Sequence, residues 1–354
     1  MNYTNIKQVE RNSYVDFIRG VAMLLVILGH TMTGCTEGAE KSFLFNIIWS
    51  LQMPLFFLVS GYVNRYSRKI VNSATLWSFV KRRTIAYLVP WLVWTFFVRG
   101  LIFKKTYFFN IKYLIYHMDI GYWFLTTIWI ICLIQSFAVF GAEKIYNISY
   151  KRKIIVMSII YGLGMIILAI IGCMMGMSFF GIRLTLYYMP FYFIGYLYGM
   201  FQDELQSFTK SDIINEIIVA ICFCVWVTIL VRFPLYALPD SISSVVIRAG
   251  CSFAGCIAIS SLCMNLFNEN ETLLQNYLCC ELIKIGKYSL EIYVTHYLFL
   301  SIVKSDQILQ FTSIKGTFLC FINFVITFIS LKIILQMINK NKTLCFLLYG
   351  RKKY

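Results

Sequence analysis

Long apolar runs separated by short polar stretches set the pattern of this chain. Ten runs predict transmembrane helices, at 15–33, 43–63, 84–103, 122–142, 154–175, 183–201, 213–233, 245–267, 288–304 and 316–338. Each comes close to the roughly 20 residues that cross ~30 Å of hydrocarbon, and the ninth is short by that measure. The loops between them have about 20 residues at most. The expectation is therefore one membrane-embedded domain over 1–354, all-α and polytopic, without an extramembrane domain. The first run is too long for a secretory leader, carries Asp16 and Arg19, and has no clear small-x-small cleavage site. It reads as a retained helix.

Composition strengthens this picture. Hydrophobic residues make up 59% and charged residues 14%, where soluble domains carry about 25% charged residues. Mean hydropathy is +0.72. A disordered chain is excluded, and a soluble enzyme with one compact core is disfavoured. The net charge is +16, from 32 Lys and Arg against 16 Asp and Glu. In a soluble protein such an excess would suggest nucleic acid, but its placement has a better cause. With the N-terminus inside, the inside segments hold 20 basic residues and the outside loops hold Lys41, Lys104, Lys105, Lys112, Lys304 and Lys315. The positive-inside rule then places both termini in the cytoplasm. Most of the 12 cysteines lie in apolar runs, where they act as small hydrophobes. No CxxC pair or Cys/His spacing suggests a metal site.

The chemistry lies in the polar residues that the spans carry at a cost of about 2.5–3.5 kcal/mol each. The first span, YVDFIRGVAMLLVILGHT, holds Asp16, Arg19 and His30. Asp16 and Arg19 are i,i+3 and can pair. Arg19 and His30 are eleven apart, about three helical turns and ~16 Å, so they share a face at different depths. Met23 and Ile27 lie between them on that face. An interfacial ion pair with a packing histidine would explain these residues; the shared face favours a function.

After the second span, SGYVNRYSRKI places Arg65 and Arg68 at i,i+3, side by side if the helix continues. Two guanidinium groups suit phosphate, although read alone they are ordinary positive-inside charge. Lys81, Arg82 and Arg83 mark the cytoplasmic start of the third span. In KYSLEIYVTHYLFL, Glu291 and His296 are five apart and on different faces, so each needs its own partner. A hydrogen bond to a neighbouring helix is the plain account of His296. Arg183 lies near the outer surface, and Trp123 reads as an aromatic-belt residue.

Taken in order, these segments resemble membrane acyltransferase family 3, the bacterial surface-polysaccharide O-acyltransferases, in a fucose 4-O-acetylase-like form. The resemblance rests on DFIRGVAMLLVILGH (Asp16 to His30), MPLFFLVSGY (Met53 to Tyr62), RYSR (Arg65 to Arg68), KRRTIAYLVPW (Lys81 to Trp91), YWFL (Tyr122 to Leu125), FYFIGYLYG (Phe191 to Gly199) and SLEIYVTHYLFL (Ser289 to Leu300). It implies ten helices in the bacterial cytoplasmic membrane. It implies acetyl-CoA or another acyl-CoA as donor substrate, with no permanently bound cofactor, and a hydroxyl of a surface or lipid-linked glycan as acceptor. By position, Arg19 and His30 match the essential pair, with Asp16 beside them, and Arg65 and Arg68 match the cytoplasmic arginine motif. Glu291, His296, Trp123 and Arg183 stand as substrate-side or supporting residues.

The residues fit the chemistry independently. Acyl transfer to an alcohol needs a base for the hydroxyl proton, and histidine is suited to that near neutral pH. His30 as base in a direct transfer, and His30 as transient acyl carrier, both remain open at this stage. The competing readings are a glycan transporter or polymerase, which would not need the Arg–His pair together with RxxR, and a membrane scaffold, which has no reason to bear the cost of buried charge.

Overall fold

The computed structural model describes residues 12–102, 104, 109–145, 149–208, 212–268 and 273–351. Lys7, Arg11, Lys105, Lys210, Lys352 and Lys353, which enter the charge count, lie outside the described residues. Thirteen α-helices are described: α1 Ser13–Cys35, α2 Phe43–Arg65, α3 Ser73–Val93, α4 Ile111–Tyr116, α5 Trp123–Glu143, α6 Tyr150–Met175, α7 Ile182–Phe208, α8 Asp212–Arg232, α9 Ile242–Asn268, α10 Leu273–Lys287, α11 Ser289–Thr295, α12 Ile314–Ile338 and α13 Lys342–Tyr349. Among the described residues there is no sheet, only an isolated parallel bridge between Glu37 and Gln310. The protein is an all-α polytopic membrane protein.

Eight helices among the described residues are long and apolar enough to span: α1, α2, α3 with its extension to Ile102, α5, α6, α8, α9 and α12. The other two predicted spans behave differently. α7 is long enough, but the tyrosines at 187, 188, 192, 196 and 198 lower its hydropathy. The predicted span 288–304 does not form one continuous helix. α11 gives way to a single 3-10 turn, His296–Leu298, and then to irregular chain.

The break has a local cause. The His296 ring nitrogen Nδ1 lies 2.7 Å from Tyr293 O and 3.2 Å from Ile292 O, competing for carbonyls that a continuing helix would use. Irregular backbone inside a membrane must find partners within the protein, and α12 supplies them. Asn323 accepts from Val303 N and donates to Val303 O, both at 2.9 Å. The Thr327 hydroxyl reaches Phe299 O at 2.9 Å. Cys35 Sγ, on α1, donates to Leu300 O. Asn323→Leu would leave Val303 without both partners, and a loss of about 2–3 kcal/mol is expected, measured as a lower thermal midpoint in detergent.

α3 begins at Ser73, eleven residues before the predicted span, because Asn72 and Thr75 form a reciprocal capping box. Lys81, Arg82 and Arg83 therefore lie within the helix rather than before it. Its far end widens into a π-helical stretch, Trp94–Ile102.

The chain packs as two compact units. One comprises the chain up to Gly29, Glu40–Ser67 and Gly195–Ser289; the other comprises His30–Ala39, Arg68–Ile194 and the chain from Leu290. In the first, α2, α8 and α9 pack together. Trp226 Nε1 donates to Ser50 Oγ at 3.1 Å, and the Asn46 amide donates to Leu230 O and Phe233 O while accepting from Leu235 N. In the second, α3 packs on α5 and α13, and α5 on α6. Trp129 Nε1 donates to Thr84 Oγ1, and Tyr161 donates to Met189 O. On α6, Ile155, Ile159, Ile166 and Ile170 remain exposed, a stripe at helical spacing that suits lipid. All 12 cysteines are free thiols.

Candidate active site

The most concentrated chemistry lies in the second unit, around two histidines. His30, near the end of α1, is half-buried, and His296 is completely buried. Their ring centroids are 5.3 Å apart. His30 Nε2 lies 3.0 Å from the Tyr297 hydroxyl. The Tyr297 ring is 4.9 Å from the His30 ring and 4.3 Å from that of His296. Tyr122 meets Tyr297 edge-on at 5.7 Å and 88°.

Arg99 completes the group. Its guanidinium carbon lies 5.3 Å from the ring centroids of both Tyr122 and Tyr297, within cation–π range. It stands on the π-helical stretch, a distortion that is frequent at functional sites. Trp94, at the start of that stretch, is anchored by donating to Leu348 O at 2.8 Å. Gly121 has φ +80, and a Cβ there would come within 2.7 Å of Arg99 Nη1. This turn needs glycine both for its backbone angle and for the room it leaves the guanidinium.

The residues singled out in the sequence fall into several places. Asp16 and Arg19 pair at 3.9 Å, with the Asp16 side chain buried and that of Arg19 22% exposed. They share the continuous helix α1 with His30, and Met23 and Ile27 between them are buried. α2 ends at Arg65, and Arg68 lies beyond it in irregular chain, so the helical i,i+3 pairing of RxxR does not form. Arg65 Nε is buried without a hydrogen-bond partner, while Arg68 is exposed.

Glu291 and His296 each have separate partners. Glu291 is 1% exposed and pairs with Arg351. His296 Nδ1 turns back on its own helix rather than to a neighbour. Trp123 stacks on Tyr188 at 5.5 Å and 15°. Arg183 pairs with Asp119 at 3.5 Å, and Ser178 donates to the same carboxylate.

Sequence reasoning left Arg99, Arg232 and Arg248 without a place. Arg99 belongs to the histidine cluster. Arg248 is structural: it donates to Leu235 O and Leu238 O, and its guanidinium lies 5.6 Å from the Trp49 ring centroid. Arg232 is the exposed last residue of α8. Tyr122 and Tyr297 went unremarked as chemistry, although both stand beside residues already singled out.

The cluster has the elements of acyl-transfer chemistry: imidazole nitrogens to move a proton, and a guanidinium and phenol hydroxyls to stabilise developing negative charge. Such a centre in an all-α membrane protein is compatible with a membrane acyltransferase, and the family comparison bears on that class directly. Residues 12–335 match the family model described as "Acyltransferase domain", and the chain belongs to that family, acyltransferase family 3. Among known proteins, nodulation protein NolL of Sinorhizobium fredii (strain NBRC 101917 / NGR234) is similar, 24% identical over 225 residues. The match covers 58% of this chain and 56% of that protein, so it spans little more than half of the relative. No solved structure matches the chain.

Tyr297→Phe removes the hydroxyl that engages His30. A fall in kcat of about tenfold is expected, the equivalent of one net hydrogen bond, with KM little changed. Initial rates with purified protein measure it.

Proposed function

We propose that this protein transfers an acetyl or other acyl group from cytoplasmic acyl-CoA to a hydroxyl of a cell-surface or lipid-linked glycan, such as capsule, exopolysaccharide or O-antigen. It works as a multi-pass enzyme of the bacterial cytoplasmic membrane, with both termini in the cytoplasm. The observation that carries this reading is the close grouping of two imidazoles, that of His296 fully buried, with Tyr297 and Arg99 in a chain of the acyltransferase family.

In this reading Arg65, at the end of α2, and Arg68, in the chain after it, each offer a guanidinium to the phosphates of CoA. Arg19, steadied by Asp16, stands on the same helix as His30, so a donor guided along α1 covers the ~16 Å between them. His30 stands at the reacting centre. The acceptor oxygen bonds to the thioester carbonyl carbon and the C–S bond breaks. The hydroxyl proton passes to an imidazole of the cluster and ends on the CoA sulfur. Arg99 and Tyr297 face the negative charge that develops on the carbonyl oxygen. Trp123 and Arg183 belong to the acceptor side, and Glu291 supports the broken helix that presents His296.

Purified protein in lipid, supplied with radiolabelled acetyl-CoA and a crude surface-glycan fraction from the source cell, tests the reading. Label is expected in the glycan. A transporter or polymerase would move none, and absence of label with folded protein and a competent acceptor would overturn acyl transfer.

A further inference from the structure

The two histidines are not equivalent. His30 Nε2 already shares a hydrogen with Tyr297 at 3.0 Å. His296 Nε2, fully buried, has no hydrogen-bond partner. The other nitrogen of His296 faces two carbonyl oxygens, which only accept. Nδ1 therefore carries the ring hydrogen, and in the neutral imidazole the lone pair lies on Nε2. A buried acceptor left unmet is destabilising, and a hydroxyl donor arriving there would relieve it.

We propose that His296 is a further catalytic residue, whose Nε2 accepts the hydrogen bond and then the proton of the incoming acceptor hydroxyl. The inference rests on the O-acyl-transfer reading and assigns the proton within it. The hydroxyl O–H bond breaks as its oxygen bonds to the acyl carbon. The proton moves to His296 Nε2, the C–S bond breaks, and the proton then passes to the departing CoA thiolate. His30 keeps its bond to Tyr297, which a base at His30 Nε2 would have to break. The helix break after Thr295 follows from the same geometry, since the carbonyls that interrupt the helix also orient the ring. His30, half-buried, is less enclosed than the fully buried His296.

His296→Asn separates the two duties of this side chain. Its amide N–H can still donate toward the Ile292 and Tyr293 carbonyls, but it cannot take up a proton. Transfer of label from acetyl-CoA to the glycan fraction is compared with transfer to hydroxylamine, a nucleophile that attacks thioesters without a base. The variant is expected to lose kcat for glycan transfer by about 100-fold or more, with KM for acetyl-CoA within about threefold of wild type. Enzyme-dependent formation of acetyl hydroxamate is expected to persist. Equal loss with both acceptors would make His296 a structural residue and overturn the proposal, as would wild-type glycan transfer by the variant. Wild-type protein that transfers label to neither acceptor would instead overturn the acyl-transfer reading, and the proposal with it.

Discussion

His30→Ala is expected to lower acyl transfer to the glycan by about 10²–10³-fold, the range for disturbing a group that faces developing negative charge, since His30 holds the Tyr297 hydroxyl in place. The substitution removes an imidazole from the two-histidine cluster and deprives the Tyr297 hydroxyl of its partner. Folding should survive. His30 is half-buried within a long helix whose buried neighbours Ile27 and Thr31 are untouched, and alanine is the best helix former. Two measurements separate chemistry from folding. Label transfer from acetyl-CoA reports the reaction, and heating with a thiol-reactive dye reports unfolding as buried Cys132, Cys256 and Cys320 become exposed. Equal label with both proteins would leave the enzyme standing and reduce His30 to packing.

Arg351→Met is expected to destabilise the protein by about 3–4 kcal/mol, near the lower end for removing one member of a buried ion pair. The Glu291 side chain is only 2% exposed, whereas that of Arg351 is 43% exposed, which moderates the loss. The pairing depends on the end of α13. Gly350 adopts φ +63 and turns the chain so that Arg351 meets Glu291, and a Cβ at Gly350 would come within 2.5 Å of Ile85 O. With the guanidinium gone, α11 keeps a buried carboxylate one turn before His296. The dye experiment should give a lower thermal midpoint, and Glu291→Gln combined with Arg351→Met should recover part of the loss. An unchanged midpoint for the single variant would mean that the pair contributes nothing to stability.

Much of the fold was legible because a membrane imposes length and hydropathy directly. α1, α2, α5 and α12 fall within a few residues of their predicted bounds. The predicted span 288–304 failed for a reason hydropathy cannot register. A histidine ring bonding its own carbonyls stops the helix, and the side chains that satisfy the broken backbone belong to Asn323 and Thr327. The early start of α3 depended on a capping box just outside the apolar run. Within the candidate site, His30 and His296 stood out as ionisable groups in apolar runs, and Asp16 and Arg19 by their spacing. Arg99 had no assigned role, since nothing in its own segment announced the π-helical stretch or the glycine turn at 121 that bring it to the tyrosines. Tyr297 was hidden by composition, one of 24 tyrosines in the chain.

The broken helix also fixes an order of assembly. When the ribosome has finished residues 289–303, Asn323, Thr327 and Arg351 do not yet exist. The nascent segment then holds a carboxylate without Arg351 and carbonyls without the donors of α12, and its short helix cannot cross the bilayer alone. Its lodging in the membrane waits for α12, and the charge of Glu291 waits for the turn after α13. Until those helices emerge, His296 has no fixed address, so the cluster around it is among the last parts of the molecule to be built.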